Sequence, residues 1–195
     1  MKTKLNVMID IETTGTVAGC CILQLSSRVF KDGVVDFNLY QHAFNRNIDH
    51  KTSLAHGFID CESTMEWWEQ QDPEVRRKVF SGKCHLLKAM EDFSEWLDYL
   101  QKDNPECELA LWSKGMDFDF PILAHAYRAL DLPVPWKYYQ VNDARTILKL
   151  VPTDSLLVRA PTLPQHDAYF DCIFQVRQLL AAAKYLNITL SKENP

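Results

Sequence analysis

The chain has 195 residues, 47% of them hydrophobic and 11% aromatic, and carries a formal net charge of -5. A chain of this length can bury roughly 70% of its unfolded surface, so we expect one folded domain over residues 1–195, and the composition excludes an intrinsically disordered protein. The acidic balance excludes a protein that coats DNA through a broad basic surface. No apolar run approaches the ~20 residues of a membrane span or forms a signal peptide, so we expect no membrane contact and a cytoplasmic location.

The six cysteines show no spacing typical of a zinc knuckle or of a redox pair. No two of them are separated as C-x-x-C, and only Cys20 and Cys21 are adjacent. Secreted disulfide scaffolds are normally small domains that lack a core of this size. We therefore expect reduced thiols.

Three β-rich runs open the chain. They are Leu5–Ile9, Cys21–Phe30 and Val34–Tyr40, and the last two are joined by Lys31-Asp32-Gly33. Asp-Gly between two such runs is a strong signal for a tight β-hairpin. The pattern predicts a three-stranded antiparallel meander.

The next segment changes from polar to helical. After the polar stretch Asn45–Gly57, Ser63 and Glu66 have the spacing of a capping box, and Asp72-Pro73 fits an N-cap followed by proline at the first helical position. Two short helices are predicted here.

The remaining elements alternate between helix and strand. In chain order the pattern predicts an amphipathic helix over His85–Leu100, a buried strand over Leu109–Trp112, a helix over Ile122–Leu130, a short helix over Arg145–Val151 and a last helix over Asp167–Leu186. Pro152–Gln165 contains three prolines and no clear period, so it is predicted to be irregular. An α/β fold with one sheet flanked by helices follows.

Two carboxylates lie at the end of the first strand. Asp10 and Glu12 are two residues apart, so their side chains project from the same face of the strand. A buried pair of like charges is unfavourable unless a cation compensates it, which favours a hard divalent metal ion. The alternative is a solvated strand end, with the acidic pair in a turn beside Thr13, Thr14 and Gly15.

A second acidic cluster follows the predicted strand Leu109–Trp112. Asp117 and Asp119 lie on either side of Phe118, just before Pro121. Asp119 could simply be a helix N-cap, because proline is tolerated in the first helical turn. Its position after a buried strand, like that of the first cluster, could also bring it to the same sheet edge.

The third cluster is His166, Asp167 and Asp171 at the start of the last helix. A separation of five residues puts His166 and Asp171 ~140° apart on a helix, so they converge only if His166 precedes the helix. Asp167, four residues from Asp171, is a rival ligand. The alternative is an N-capping Asp167 and a surface His166.

The three clusters fit one reaction. Several carboxylates can hold two Mg²⁺ or Mn²⁺ ions that stabilise the attacking and leaving oxygens of a phosphoryl displacement. A histidine with a pKa near neutrality can deprotonate the attacking water. Hydrolysis of a phosphodiester is the reaction class that this combination predicts.

These motifs carry a family resemblance. Asp10-Ile11-Glu12-Thr13-Thr14-Gly15, then Phe118-Asp119, then His166-x4-Asp171 resemble the three exonuclease motifs of the DEDDh group, the DnaQ-like branch of the ribonuclease H-like fold. Four further segments are similar to the phage exonuclease A group, which includes the exonuclease VIII nuclease domain: Ser63–Trp68, Asp72–Arg76, Gly115–Leu123 and Asp143–Thr146. The resemblance spans about residues 5 to 185.

The resemblance implies a fold and a set of site residues. The fold is a mixed central sheet, with an antiparallel meander plus parallel strands, flanked by helices. The implied metal ligands are Asp10, Glu12, Asp119 and Asp171, which bind two Mg²⁺ or Mn²⁺ ions, and the implied general base is His166. Asp117 and Asp167 become neighbours of the site.

The resemblance also suggests substrate contacts. Thr13 and Thr14 would lie beside the 3′-terminal nucleotide. Trp67 could stack on a base or only pack its helix, and Arg145 could bind substrate or hold the structure together. We keep both alternatives for these two residues.

The activity implied is 3′-to-5′ removal of nucleoside monophosphates from single-stranded DNA, in the cytoplasm of the host cell if the protein is phage-encoded. An exoribonuclease is the alternative, because contacts to the 2′-hydroxyl cannot be identified from one sequence. A module that binds ends without cutting is disfavoured by the complete set of four carboxylates and histidine. Related enzymes include dimers, so a homodimer is possible here.

Overall fold

The structure is a computed structural model that describes residues 3–31, 43–156 and 164–191. Its strands are β1 (Thr3–Thr13), β2 (Ile22–Phe30), β3 (Ala43–Asn47), β4 (Cys107–Ser113) and β5 (Val141–Asp143). Its α-helices are α1 (His50–Ala55), α2 (Glu62–Glu69), α3 (Pro73–Phe80), α4 (Leu86–Asp103), α5 (Met116–Ala129), α6 (Ala144–Leu148) and α7 (Ala168–Leu186), with short 3-10 helices at Tyr138–Gln140 and Thr153–Ser155. Within these residues, every helix is too short or too polar to cross a membrane.

The five strands form one mixed sheet in the order β3-β2-β1-β4-β5. β1 pairs antiparallel with β2, and β2 with β3, whereas β1 pairs parallel with β4, and β4 with β5. The predicted combination of an antiparallel meander with parallel strands is therefore confirmed. β1 is the central strand, so its backbone is hydrogen-bonded to β2 on one side and to β4 on the other.

Alternate residues of β1 face two different hydrophobic clusters. Val7, Ile9 and Ile11 point into the larger cluster, which contains the buried residues of α4 and α5. Met8 points to the opposite face, where it packs with residues of α7 such as Val176. The even-numbered positions of β1 therefore face α7, and this alternation decides the direction of the side chains at the end of the strand.

The third strand of the meander differs from the sequence-based prediction. It is Ala43–Asn47, whose last three residues fall in the predicted polar stretch, and it is anchored by Phe44, whose ring centroid lies 5.2 Å from that of Phe93. A five-residue strand with a single buried apolar residue has too weak a pattern to be predicted. The Val34–Tyr40 strand and its Asp32-Gly33 turn lie outside the described residues.

Of the two short helices predicted here, one begins where predicted and the other does not. Asp72 caps α3 as predicted, accepting hydrogen bonds from the backbone N–H groups of Glu74 and Val75. The predicted capping box at Ser63 is wrong, because α2 begins two residues earlier, at Glu62, and Cys61 is its N-cap. The thiol lies 3.3 Å from the Ser63 hydroxyl instead.

The helix after β4 also begins earlier than predicted. α5 begins at Met116, six residues before the predicted start, with Gly115 as its N-cap, so Pro121 lies inside the helix. Asp119 is therefore a helical residue and not an N-cap. The three-residue strand β5 was not predicted, because a strand of this length has no measurable period.

The sheet centre should be sensitive to loss of side-chain volume. Leu111 in β4 is fully buried, so we expect Leu111→Ala to lower the free energy of unfolding by about 2–5 kcal/mol. The same substitution at Leu150, whose exposed fraction is 63%, is the matched control and should change it by less than about 0.5 kcal/mol. Urea unfolding monitored by circular dichroism measures both, and equal losses would contradict this assignment of the core.

Candidate active site

Three carboxylates converge where β1 meets α7. Asp10 and Glu12 are half-buried on the face of β1 that turns toward α7, and Asp171 lies in the first turn of that helix. Their ligand oxygens all lie within 4.8 Å of one another. Asp10 and Glu12 lie together because they are two residues apart on one face of β1. Asp171 joins them because α7 packs on that face of the sheet.

A small residue allows α7 to approach the sheet this closely. Cys172 is buried, and its thiol lies 3.4 Å from the carbonyl oxygen of Ser26 in β2 and 3.8 Å from that of Met8 in β1. Asp171 precedes it directly, so the contact at Cys172 sets the height of the Asp171 carboxylate above the sheet. A larger side chain at 172 would push the helix away.

Gln175 is a residue of this site that the sequence analysis missed. It lies one turn after Asp171 on α7, and its side-chain amide donates a hydrogen bond of 2.7 Å to Oδ1 of Asp10. Its carbonyl oxygen Oε1 is buried and makes no hydrogen bond within the described part of the chain. The signal available was its spacing of four from Asp171, which puts both on one helical face.

Asp119 contributes a fourth carboxylate from α5. Its side chain is buried, and burial raises the pKa of its carboxyl group to about 7, although the nearby Ser113 hydroxyl, the Ile11 backbone and the Arg145 guanidinium partly offset this. A carboxyl group in such surroundings stays protonated at mildly acidic pH, and a cation that approaches it favours the ionised form. Asp119 is thus suited to a position beside a positive ion.

The four carboxylates line one cavity of about 570 Å³. Its wall also contains four other residues named in the sequence analysis, together with Lys114: Thr13, Trp67, Arg145 and His166. Thr14 does not line the cavity; it is buried behind the wall, with its hydroxyl 3.4 Å from the Ile59 carbonyl oxygen. Asp117 is exposed and lies outside the cavity wall.

His166 reaches the cavity from the segment before α7. Its backbone adopts φ 58°, a left-handed conformation that a helical residue cannot have. It lies two positions before Ala168, the first residue of α7, which removes the angular conflict with Asp171. The imidazole ring lies edge-on to Trp67, with ring centroids 4.7 Å apart and an interplanar angle of 85°.

The two neighbouring tryptophans of α2 hold different parts of the site. Trp68 is buried, and its indole N–H donates a hydrogen bond of 2.9 Å to the carbonyl oxygen of Thr13, which ties α2 to the end of β1. Trp67 has an exposed fraction of 38% and contacts the ring of His166. The pair therefore connects the strand end to the histidine.

Arg145 holds the turn between β4 and α5. Its Nη2 donates a hydrogen bond of 2.9 Å to the Lys114 carbonyl oxygen. A Cβ atom on Gly115 would lie only 2.7 Å from that nitrogen, and the Gly115 φ of 125° also disfavours any side chain. Asp143 accepts a hydrogen bond of 3.1 Å from the Gly115 N–H. This structural role of Arg145 is one of the two we considered.

Asp167, the rival ligand, points to other partners. Its Oδ1 accepts a hydrogen bond from the Tyr169 N–H at 3.1 Å, which caps α7. Its buried Oδ2 forms an ion pair of 2.5 Å with the half-exposed Lys78 of α3. Asp167 thus joins α3 to the start of α7 and is absent from the group of three converging carboxylates.

The mixed sheet and its acidic cavity define a class of protein, the DEDDh-type 3′–5′ exonucleases, which are hydrolases of nucleic acid that use divalent metal ions. The chain belongs to the family described as the 3′–5′ exoribonuclease Rv2179c-like domain, whose sequence profile matches residues 5–182. The predicted family resemblance is confirmed.

Individual relatives agree with this assignment. The exodeoxyribonuclease of Enterobacteria phage T4 is 26% identical over 207 residues, covering 91% of this chain and 88% of that protein. The structure of cell-death related nuclease 4 (CRN-4) matches with a TM-score of 0.61 at 16% identity, over 93% of this chain and 64% of that one. The nuclease domain of 3′hExo, a DEDDh family member bound to rAMP, matches with a TM-score of 0.51 at 8% identity, over 98% and 96% of the two chains. These matches confirm the predicted ribonuclease H-like fold.

The buried carboxyl group of Asp119 predicts a pH dependence for the metal-free protein. Its pKa is about 7 in the folded chain and near 3.8 when unfolded, so between these values the folded state binds more protons. The free energy of unfolding should therefore fall as pH rises from about 4 to about 7. We expect a smaller fall in Asp119→Asn.

Thermal unfolding in excess chelator measures this slope. Asp117→Asn, two residues away and exposed, is the control and should keep the wild-type slope. Identical slopes in the wild type and in Asp119→Asn would contradict the assignment of the raised pKa to Asp119.

Proposed function

We propose that this protein hydrolyses phosphodiester bonds at the 3′ end of single-stranded DNA and releases nucleoside 5′-monophosphates, using two Mg²⁺ or Mn²⁺ ions. The observation that carries the proposal is the convergence of Asp10, Glu12 and Asp171 within 4.8 Å, with Asp119 and His166 in the same cavity wall. The four carboxylates can bind the metal ions, and the histidine can accept the proton of the attacking water. A metal-dependent hydrolysis needs both functions.

The ligand set fits hard divalent ions. Every charged donor in the cluster is a carboxylate oxygen, the type of ligand that Mg²⁺ and Mn²⁺ prefer, and the buried Oε1 of Gln175 adds a neutral oxygen nearby. Asp10, Glu12 and Asp171 would hold one ion, and Asp10 and Asp119 a second. Bound there, the ions would stabilise the charge that develops on the phosphate and lower the pKa of the attacking water.

His166 is the proposed general base. Its ring lies in the cavity wall on a segment outside α7, and the edge contact with Trp67 restricts its orientation. A neutral imidazole held in this way can take the proton from the attacking water. Gln175 assists indirectly, because its hydrogen bond fixes the rotamer of Asp10.

The 3′-terminal nucleotide is proposed to lie along the wall between α2 and the turn after β4. Thr13 lines this wall directly, and Thr14 supports it from behind through the backbone. The partly exposed ring of Trp67 offers a surface on which a base can stack, an interaction worth ~1–3 kcal/mol per base. Arg145 and Lys114 place positive charge near the phosphate while Arg145 also holds the turn.

DNA is proposed as the substrate because the exodeoxyribonuclease of phage T4 aligns with this chain over 91% of its length. RNA is the second candidate, since the family is described by an exoribonuclease activity. DNA and RNA differ by the 2′-hydroxyl, so contacts of the cavity wall with this group decide between the two substrates.

Matched DNA and RNA oligonucleotides of one sequence, labelled at either end, test the proposal. We expect a 5′-labelled DNA strand to shorten one nucleotide at a time, a 3′-labelled strand to release labelled mononucleotide at once, and both reactions to need Mg²⁺ or Mn²⁺. Asp10→Asn should be inactive, and Asp117→Asn should match the wild type. Faster degradation of RNA would favour the second candidate, and cleavage that starts at the 5′ end would contradict both.

The role of His166 predicts a loss of turnover without a loss of binding. We expect His166→Ala to lower kcat by ~10²–10⁴-fold and to leave KM nearly unchanged, because the imidazole acts on the proton and not on the strand. His56→Ala, an exposed histidine outside the cavity wall, is the control. A His166→Ala protein with normal kcat would remove this residue from the mechanism.

A further inference from the structure

A second group of metal-ligating side chains lies outside the acidic cavity. The thiol of Cys21, the imidazole of His50 and the carboxylate of Asp60 have ligand atoms within 4.8 Å of one another. The Nε2 atom of His50 is 2.8 Å from Oδ1 of Asp60. From this geometry we propose a distinct site that binds one Zn²⁺ ion through Cys21, His50 and Asp60.

The backbone holds two of the ligands in place through one shared set of hydrogen bonds. The Cys21 N–H donates to the Ile59 carbonyl at 3.2 Å, and the Thr14 N–H donates to the Cys21 carbonyl at 3.0 Å. The Cys61 N–H donates to the Thr14 carbonyl at 2.9 Å, so both neighbours of Asp60 are bonded to this segment. The ligands are therefore positioned before an ion binds, which reduces the entropy lost on binding.

The third ligand comes from the first residue of α1. His50 follows Asp49, which caps the helix by accepting a hydrogen bond from the Lys51 N–H at 3.1 Å. The edge of the Phe80 ring lies against the imidazole, with centroids 5.9 Å apart and an interplanar angle of 88°. These contacts hold Nε2 toward Asp60 and Cys21.

The charge balance suits the partial burial of this group. Binding replaces the thiol proton of Cys21, which goes to solvent as the sulfur–zinc bond forms, and no electron is transferred. One thiolate and one carboxylate then neutralise the two positive charges of the ion, while His50 donates a neutral lone pair. Cys21 is fully buried, and burial raises the pKa of its thiol, so without an ion the thiol stays protonated beside the hydrogen-bonded pair of His50 and Asp60.

The ligand types separate this site from the acidic one. A thiolate and an imidazole select zinc over Mg²⁺, whereas carboxylates alone favour hard ions. Three side chains leave the fourth tetrahedral position to water. Thr14, which follows Thr13 of the cavity wall, is hydrogen-bonded to Cys21 and to Cys61 beside Asp60, so a zinc ion here would brace the wall of the acidic cavity without entering it.

Cobalt titration of the full chain, stripped with a chelator and supplied with excess Mg²⁺, tests this site. We expect one equivalent of Co²⁺ to produce a thiolate-to-cobalt charge-transfer absorption that Zn²⁺ abolishes by displacement. His50→Ala should weaken Co²⁺ binding by more than the ~10–100-fold expected for losing an outer-sphere partner. Zn²⁺ should raise the thermal midpoint of the wild type and leave that of His50→Ala unchanged.

Three further variants make the test specific. Cys21→Ser should abolish the charge-transfer absorption, and because this buried substitution could unfold the chain, the partly exposed His50 provides the second, independent variant. Cys61→Ser, beside Asp60 in sequence, should keep the absorption. Asp10→Asn should also keep it, which separates this site from the proposed nuclease mechanism. Absence of the absorption in the wild type, its full retention in His50→Ala, or its loss in Cys61→Ser would overturn the proposal.

Discussion

Electrostatic repulsion acts between three carboxylates held within 4.8 Å at the end of a largely buried strand, and the rest of the structure is arranged around it. Such repulsion strengthens as water is excluded. Asp10 and Glu12 cannot separate, because β1 is paired on both sides by β2 and β4 up to the start of this cluster. Asp171 cannot withdraw, because the helix that carries it packs against the sheet at Cys172. Hydrophobic burial elsewhere in the core therefore offsets an unfavourable arrangement of charge, which a bound cation would relieve locally.

A surrounding layer of residues holds each segment that carries a site residue. Trp68 binds the carbonyl at the end of β1, Gln175 binds Asp10, and Arg145 binds the turn that leads to Asp119. Each is a hydrogen bond from a side chain to a group whose position matters for the cavity. Sites held in this way keep their geometry without help from the substrate, which lowers the reorganisation required during reaction. The ion pair of Lys78 with Asp167 does the same for the segment before α7.

The features that could be predicted are those that depend on local order along the chain. The spacing of Asp10 and Glu12, the cap at Asp72 and the long period of α4 are all short-range patterns, and the structure contains each of them. Elements with little local pattern were missed: β3 has one buried apolar residue, and β5 has three residues in all. The predicted start of α5 was too late, because Pro121 suggested the first turn of a helix. The helix begins before this proline, after its N-cap Gly115.

The contacts within the site could be predicted only in part, because most of them join distant segments. Gln175 and Asp10 are 165 residues apart in sequence, and only the spacing of four between Gln175 and Asp171 points toward the site. Trp68 and the Thr13 carbonyl are likewise joined across a separation of 55 residues. Carboxylates at strand ends are informative because parallel strands bring their ends to one edge. No comparable rule predicts where the side-chain amide of Gln175 or the indole of Trp68 will lie.

The turn from Thr13 to Cys21 connects two ligand sets of different chemistry. At one end lie carboxylates that suit a hard ion, and at the other lies a thiol beside an imidazole and a carboxylate. Because each set prefers a different class of ion, loading of one site does not compete with loading of the other. The Trp68 indole fixes the first residue of the turn, and the Ile59 carbonyl fixes the last. A change of ion at the thiol end would therefore alter the rigidity of the cavity wall, not the charge inside the cavity.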